Sequence, residues 1–196
     1  MSVKHSQAAA QAATDAIVDL VDGGDCQILD GATVLATIDL EATAFGAAAA
    51  DGSAAIEEGT GLSAAASGTG TADSFRFRNA AKAMVWQGKC GLSHAITGVS
   101  TGSKTFSVAT DITGLLTVGE RIRVAGSTGN DGWYTIVSMA FDAPNTVITV
   151  VETPADATVD GTLHPFAMTI QNTSINAGQT ISLASYSYNA GQTIAT

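Results

Sequence analysis

TVGERIRVAGSTGNDGWYTIVS, residues 117–138, sets two alternating runs on either side of a glycine-rich turn. Arg121 and Arg123 alternate with Ile122 and Val124, a period of two that puts the charged pair on one strand face and the aliphatic pair on the other. Gly126, Gly129 and Gly132 then provide residues able to take the backbone angles of tight turns, and WYTIV at 133–137 resumes a β-rich run. The stretch carries strand and turn chemistry and no nucleophile beside a base. It predicts a module whose work is shape and contact.

The same texture extends in both directions. Residues 94–99, 104–109, 120–125, 133–140, 146–151 and 161–164 read as short strands, spaced as in a small closed barrel. AMTIQ at 167–171 returns to the texture found before residue 92, so 93–164 is expected to be a small β-barrel inserted into a larger β domain. The body would then be residues 1–92 plus 165–196. The predicted fold is mainly β: an N-terminal amphipathic helix packed on an antiparallel β-sandwich, with the barrel inserted.

Within the body, Ala9, Ala12, Ala13, Ala16, Ile17, Leu20 and Val21 follow helical spacing and predict the packed face of an amphipathic helix, with Ser6 as N-cap and Gly23 just past its end. A face of alanines suits packing within the chain, with close contact between subunits as the alternative. Residues 27–29 and 33–40 read as a strand pair turning at Asp30-Gly31. SFRFR at 74–78 alternates cleanly and predicts a hairpin that turns near Asn79 into a strand through Met84, Val85 and Trp86. Residues 46–72 are almost wholly Gly, Ala, Ser and Thr, a composition open to small-residue strands, extended loops or an arm ordered by a neighbour. NAGQTI at 176–181 recurs at 189–194, two copies of one turn-into-strand pattern, with Tyr186 and Tyr188 between them. A last strand of this kind closes its own sheet or pairs with a neighbouring chain.

Composition narrows the function. Only 13% of residues are charged and the formal net charge is −10, so the chain has too few cations to replace the counterions of nucleic acid. Hydrophobic residues make up 45%, much of it alanine, without the long apolar run of a membrane-crossing helix. Asp15, Asp19 and Asp22 interrupt what would be the apolar core of a signal peptide. Neither a nucleic-acid partner nor a membrane is expected. Cys26 and Cys90 are compatible with one disulfide or with two buried thiols, the commoner case.

No catalytic, metal or cofactor site is predicted. His5, His94 and His164 are scattered; His94 and His164 flank the expected insertion, where a joint metal site competes with two polar hinge residues. Glu57-Glu58 suits a solvated charge pair better than an acid/base couple. Asn130-Asp131-Gly132 offers oxygens for calcium but is also good turn chemistry. GSTGNDG at 126–132 lacks the lysine of a phosphate loop and leads into a strand instead of a helix. Trp133, Tyr134, Tyr186 and Tyr188 are the candidate contact surface. Trp86, Trp133 and Tyr134 are also candidate stacking platforms for a sugar, with core anchorage as the competing reading.

SQAAAQAATDAIVDLVDGG at 6–24, ATVLATIDLEATAFGAAA at 32–49 and MTIQNTSINAGQTISLASYSYNAG at 168–191 resemble a family of small uncharacterised structural proteins of tailed bacteriophages and prophages. KTFSVATDITGLLTVGERIRVAGSTGNDGWYTIVS at 104–138 and TVITVVE at 146–152 resemble a small β module that recurs in phage structural proteins. The resemblance implies a virion component assembled in the host cytoplasm, contacting other virion proteins and sister subunits in a homo-oligomer. A capsid decoration or cement protein, touching the major capsid protein, is the leading expectation. A tail, neck or fibre-attachment subunit is the alternative, and a carbohydrate-binding adhesion module the alternative from another class.

Overall fold

The computed structural model describes residues 5–50, 52–56, 62–183 and 186–190, and is mainly β with one N-terminal helix. The chain divides into two compact units, residues 1–90 with 172–196, here the body, and residues 91–171, here the barrel unit.

The body opens with α1 (Gln7–Val18) and a 3-10 turn (Asp19–Val21). Strands β1 (Asp25–Asp30), β2 (Thr33–Asp39), β3 (Ser53–Ala55), β4 (Ser63–Ala65), β5 (Gly70–Thr71), β6 (Ser74–Arg78) and β7 (Met84–Gly91) follow. The barrel unit holds β8 (His94–Ser100), β9 (Thr105–Val108), β10 (Arg121–Ala125), β11 (Gly132–Asp142), β12 (Asn145–Val150), β13 (Thr162–His164) and the short β14 (Met168–Thr169). β15 (Ser174–Ile175), β16 (Thr180–Ser182) and β17 (Ser187–Asn189) return to the body.

Ser6 caps α1 as expected, its hydroxyl accepting the Ala9 N–H at 3.2 Å, and Gly23 takes a positive φ of 63° just past the helical segment. The buried face differs from the expected one. Ala10, Thr14 and Val18 are buried, whereas of the expected residues Val21 is buried, Ala13 and Ile17 are half-buried, and Ala9, Ala12, Ala16 and Leu20 are exposed, Leu20 by 55%. Hydrogen bonding explains the rotation. Residues 44–50 are largely irregular, and α1 satisfies backbone groups there and at Gly52: Gln11 Nε2 donates to Ala48 O (2.9 Å), Asp15 Oδ1 accepts from Ala48 N (2.7 Å) and Thr14 Oγ1 donates to Gly52 O (2.7 Å). A methyl group gains little by burial, so unpaired backbone groups decide which face turns inward.

The main sheet of the body runs in the order β2-β1-β6-β7, all antiparallel. β1 and β2 turn at Gly31-Ala32, with Gly31 at φ 54°. One sheet face is apolar: Cys26, Ile28, Phe75 and Phe77 are buried. Rings of Phe45, Phe75, Phe77, Trp86 and Tyr186 pack edge-on or stacked, with centroids 4.7–6.1 Å apart. The other face carries Asp25, held by Arg78 in two 2.7 Å bonds and by Lys82 at 2.9 Å, and a chain from Arg76 Nε through Gln27 to Thr37. Gly24 lies so close to β6 that a Cβ there would overlap the Arg78 carbonyl oxygen. Gly24→Ala is expected to cost about 2 kcal/mol, read as a lowered urea midpoint at unchanged slope.

Of the three readings open for the small-residue stretch, its described part shows short strands separated by irregular chain. β3 pairs with β17, β4 with β16 and β5 with β15, three short antiparallel pairs within the same chain that together make an interrupted ribbon. The last described strand therefore closes its own body. At a bulge in β2 the Leu35 carbonyl turns out of the ladder and accepts from Ser67 N (2.8 Å) and Gly68 N (3.1 Å). The second NAGQTI copy, from Gly191 onward, and Glu57-Glu58 lie outside the described residues.

The barrel closes in the order β10-β11-β12-β9-β8-β13. Its interior is filled by aliphatic side chains with Phe106 and Tyr134, and Thr146 bridges inside, donating to Thr110 O (2.6 Å) and accepting from Ile112 N (3.1 Å).

Candidate functional site

Alternation along β10 and β11 divides their side chains. Ile122, Val124, Tyr134 and Ile136 enter the barrel core, and Arg121, Arg123, Trp133 and Thr135 point outward. Register aligns Arg123 with Trp133 on one side and with His164 of β13 on the other, and Arg121 with Thr135. Trp133 keeps 45% of its surface exposed, with the Arg121 guanidinium carbon 5.4 Å from its ring centroid. Arg123 is exposed, and its side chain makes no hydrogen bond or ion pair among the described residues. Next to this row, Glu152 accepts from Thr135 N (2.6 Å) and Thr135 Oγ1 (2.9 Å). Burial would raise the Glu152 carboxyl, but these bonds and the Arg121 charge hold it below its ordinary value. Val137 and Val151 are exposed beyond Thr135, whose carbonyl accepts the Val151 N–H at 2.9 Å.

Of the four expected contact residues, only Trp133 is a true surface residue. Tyr134 is buried, its ring edge-on to Phe106 at 4.7 Å and its hydroxyl donating to Asn130 O at 2.9 Å. Adjacent strand residues face opposite sides, so Trp133 and Tyr134 could not share a surface. In the body, Tyr186 is buried in the aromatic cluster, and burial pushes its hydroxyl pKa upward. Tyr188 is half-buried on Trp86 at 4.6 Å. Trp86, engaged by Phe77 and Tyr188, is an anchor. What the expected surface missed was Arg121 and Arg123, although their alternation with Ile122 and Val124 already placed them outside.

No family model, curated protein or solved structure matches this chain. Function therefore has to be argued from the arrangement of its side chains.

The glycine-rich run at 126–132 is a self-locked turn. Ser127 N donates to Asp131 Oδ1 (2.7 Å), Thr128 N to Asp160 (3.0 Å) and Asn130 N to Ser127 Oγ (2.7 Å), so donors that a phosphate would need are already taken. Asn130 is buried, with its side-chain amide bonded to both N–H and C=O of Asp156. Its oxygens serve the turn instead of a calcium ion.

The two histidines of the barrel do not meet as a pair of ligands. His94 lies opposite Leu163 and shares its face of the sheet, whereas His164 points to the other face, between Thr162 Oγ1 (2.9 Å) and Thr169 Oγ1 (2.7 Å). Burial lowers both pKa values, and Arg123 lowers that of His164 further. Among the described residues no three His, Cys, Asp or Glu side chains converge on one point. Cys26 and Cys90 are buried free thiols; burial raises both pKa values, that of Cys90 to about 12, so both are protonated at neutral pH. No helix among the described residues is long and apolar enough to cross a membrane.

Proposed function

We propose that this chain is a non-enzymatic structural subunit of a tailed-phage virion, with capsid decoration as its leading role and a tail, neck or fibre-attachment position as the alternative. The observation that carries a contact function is the outward row of Arg121, Arg123 and Trp133, held on rigid paired strands of a closed barrel. Chemistry-bearing side chains shape loops in each unit: Asp131 and Asp160 fix the turn at 126–132 in the barrel unit, while Asp30 and Asp73 tie the β1–β2 hairpin of the body to β5 and its flank. The virion setting rests on the resemblance of the quoted segments, and the acidic balance suits a protein that does not face packaged DNA. Quantitative peptide mass spectrometry on particles separated into heads and tails tests it. Many copies in heads support decoration, a few copies in tails support the alternative, and absence from both removes the virion reading.

The exposed indole of Trp133 also favours a second reading, adhesion to a glycan. Trp133→Ala is expected to leave folding nearly untouched, within about 1 kcal/mol, because the ring is outside the core and its cation–π contact is solvent-exposed. A thermal melt measures this directly. Loss of glycan binding in that folded variant would favour adhesion over virion contact alone.

A further inference from the structure

We propose that the outward face of β10 and β11 docks a second copy of this chain, received on the exposed side of α1 and the acidic residues at its C-terminal end. The inference rests on the contact-subunit reading above and names its surface and partner. Trp133, Arg121 and Arg123, bordered by exposed Val137 and Val151, have the composition of an interface centre, where tryptophan and arginine are enriched. They lie on the exterior of a closed barrel, which suits a macromolecular surface better than the concave site a small molecule needs.

Charge selects the occupant. The barrel unit has three basic residues, Lys104, Arg121 and Arg123, against seven acidic ones, and the whole chain carries −10. Glu152 offsets part of the Arg121 charge on this face, whereas the Arg123 side chain has no ion-pair partner among the described residues. Two such faces repel each other through Arg123, so the contact is heterologous, with this face meeting a different and acidic surface. α1 provides one. Ala9, Ala12 and Ala16 form an exposed line of small residues on it, continued by exposed Leu20 in the 3-10 turn that follows. Asp19 lies beside Leu20, and Glu41 is brought to the helix end by its carbonyl, which accepts Gly23 N at 2.8 Å. The last turn of α1 has no basic residue. Carboxylates at a helix C-terminus oppose the helix dipole, and a guanidinium from a partner relieves that opposition. An apolar face with cations and an apolar face with anions thus complete each other between copies.

Sedimentation velocity on the full chain over a concentration series tests this. Association should grow with concentration and weaken about tenfold or more between low salt and about 0.5 M salt. The Arg121→Glu/Arg123→Glu variant and the Asp19→Arg/Glu41→Arg variant should each lose association about tenfold or more while keeping the wild-type circular dichroism and a cooperative thermal melt. Mixing the two variants should restore a complex between them. A chain monomeric to about 0.5 mM at low salt overturns the inference. So does association that survives both reversals, or a mixture of two folded variants that stays monomeric. Each of these failures leaves the virion reading standing, since that is decided by the presence of the chain in particles.

Discussion

Phe77→Ala should cost about 3–5 kcal/mol, enough to leave the body near or past its folding threshold. Phe77 has no exposed surface and sits at the centre of the aromatic cluster, stacked on Trp86 at 4.7 Å and Tyr186 at 5.1 Å, with Phe45 and Phe75 edge-on. Its strand neighbour Cys26 and its surroundings are held in sheet register, so the space left by the ring cannot collapse freely. Urea unfolding followed at Trp86 measures the loss, with Trp133→Phe as background to remove the second tryptophan signal. A loss under about 1 kcal/mol would show that the cluster is not the body's core.

Asp25→Ala should cost about 3 kcal/mol, the low end for breaking a buried ion pair, because Arg78 and Lys82 keep side-chain exposures of 21% and 49% and are partly rehydrated. The Asp25 side chain itself is only 1% exposed. Burial acts to raise its carboxyl pKa, but the hydrogen bonds and charges of Arg78 and Lys82 outweigh it and hold the group below the ordinary value of 3.8. A carboxyl that ionises more readily when folded stabilises the fold above that ordinary value, and the contribution is lost as pH falls through the lower folded value. The stability gap between wild type and Asp25→Ala should therefore be constant above about pH 5 and shrink below 3.8. A gap independent of pH would place the cost in packing alone.

The barrel was legible in the sequence because its strands alternate strongly and end at glycine, asparagine or aspartate turns; β10 and β11 fall within a residue or two of the expected runs. Ser6 was legible as a cap for a local reason, a hydroxyl three residues before an unpaired N–H. The face of α1 was not, since alanine carries little burial signal and the deciding groups, the Ala48 and Gly52 backbones, lie far away in sequence. The ribbon strands were hidden for a similar reason. Gly, Ala, Ser and Thr give weak alternation, and the pairing of Ser53 with Asn189 leaves no trace in local composition. At the candidate site, period two placed Arg121, Arg123 and Trp133 on one surface. Grouping Tyr134 with Trp133 in one contact surface ignored the same rule, which sends Tyr134 inward.

The ribbon also imposes an order on folding. β3, β4 and β5 cannot pair until β17, β16 and β15 have been synthesised, whereas the barrel has all its strands by residue 164. Once closed, the barrel unit holds its own ends together, with Ile170 N donating to Gly91 O at 2.9 Å. The intervening chain then behaves as a short tether instead of a long random loop. Loop-closure entropy makes that worth on the order of 1 kcal/mol to the body. A barrel that folds first thus acts as a splint, bringing the two halves of the body within reach before they meet.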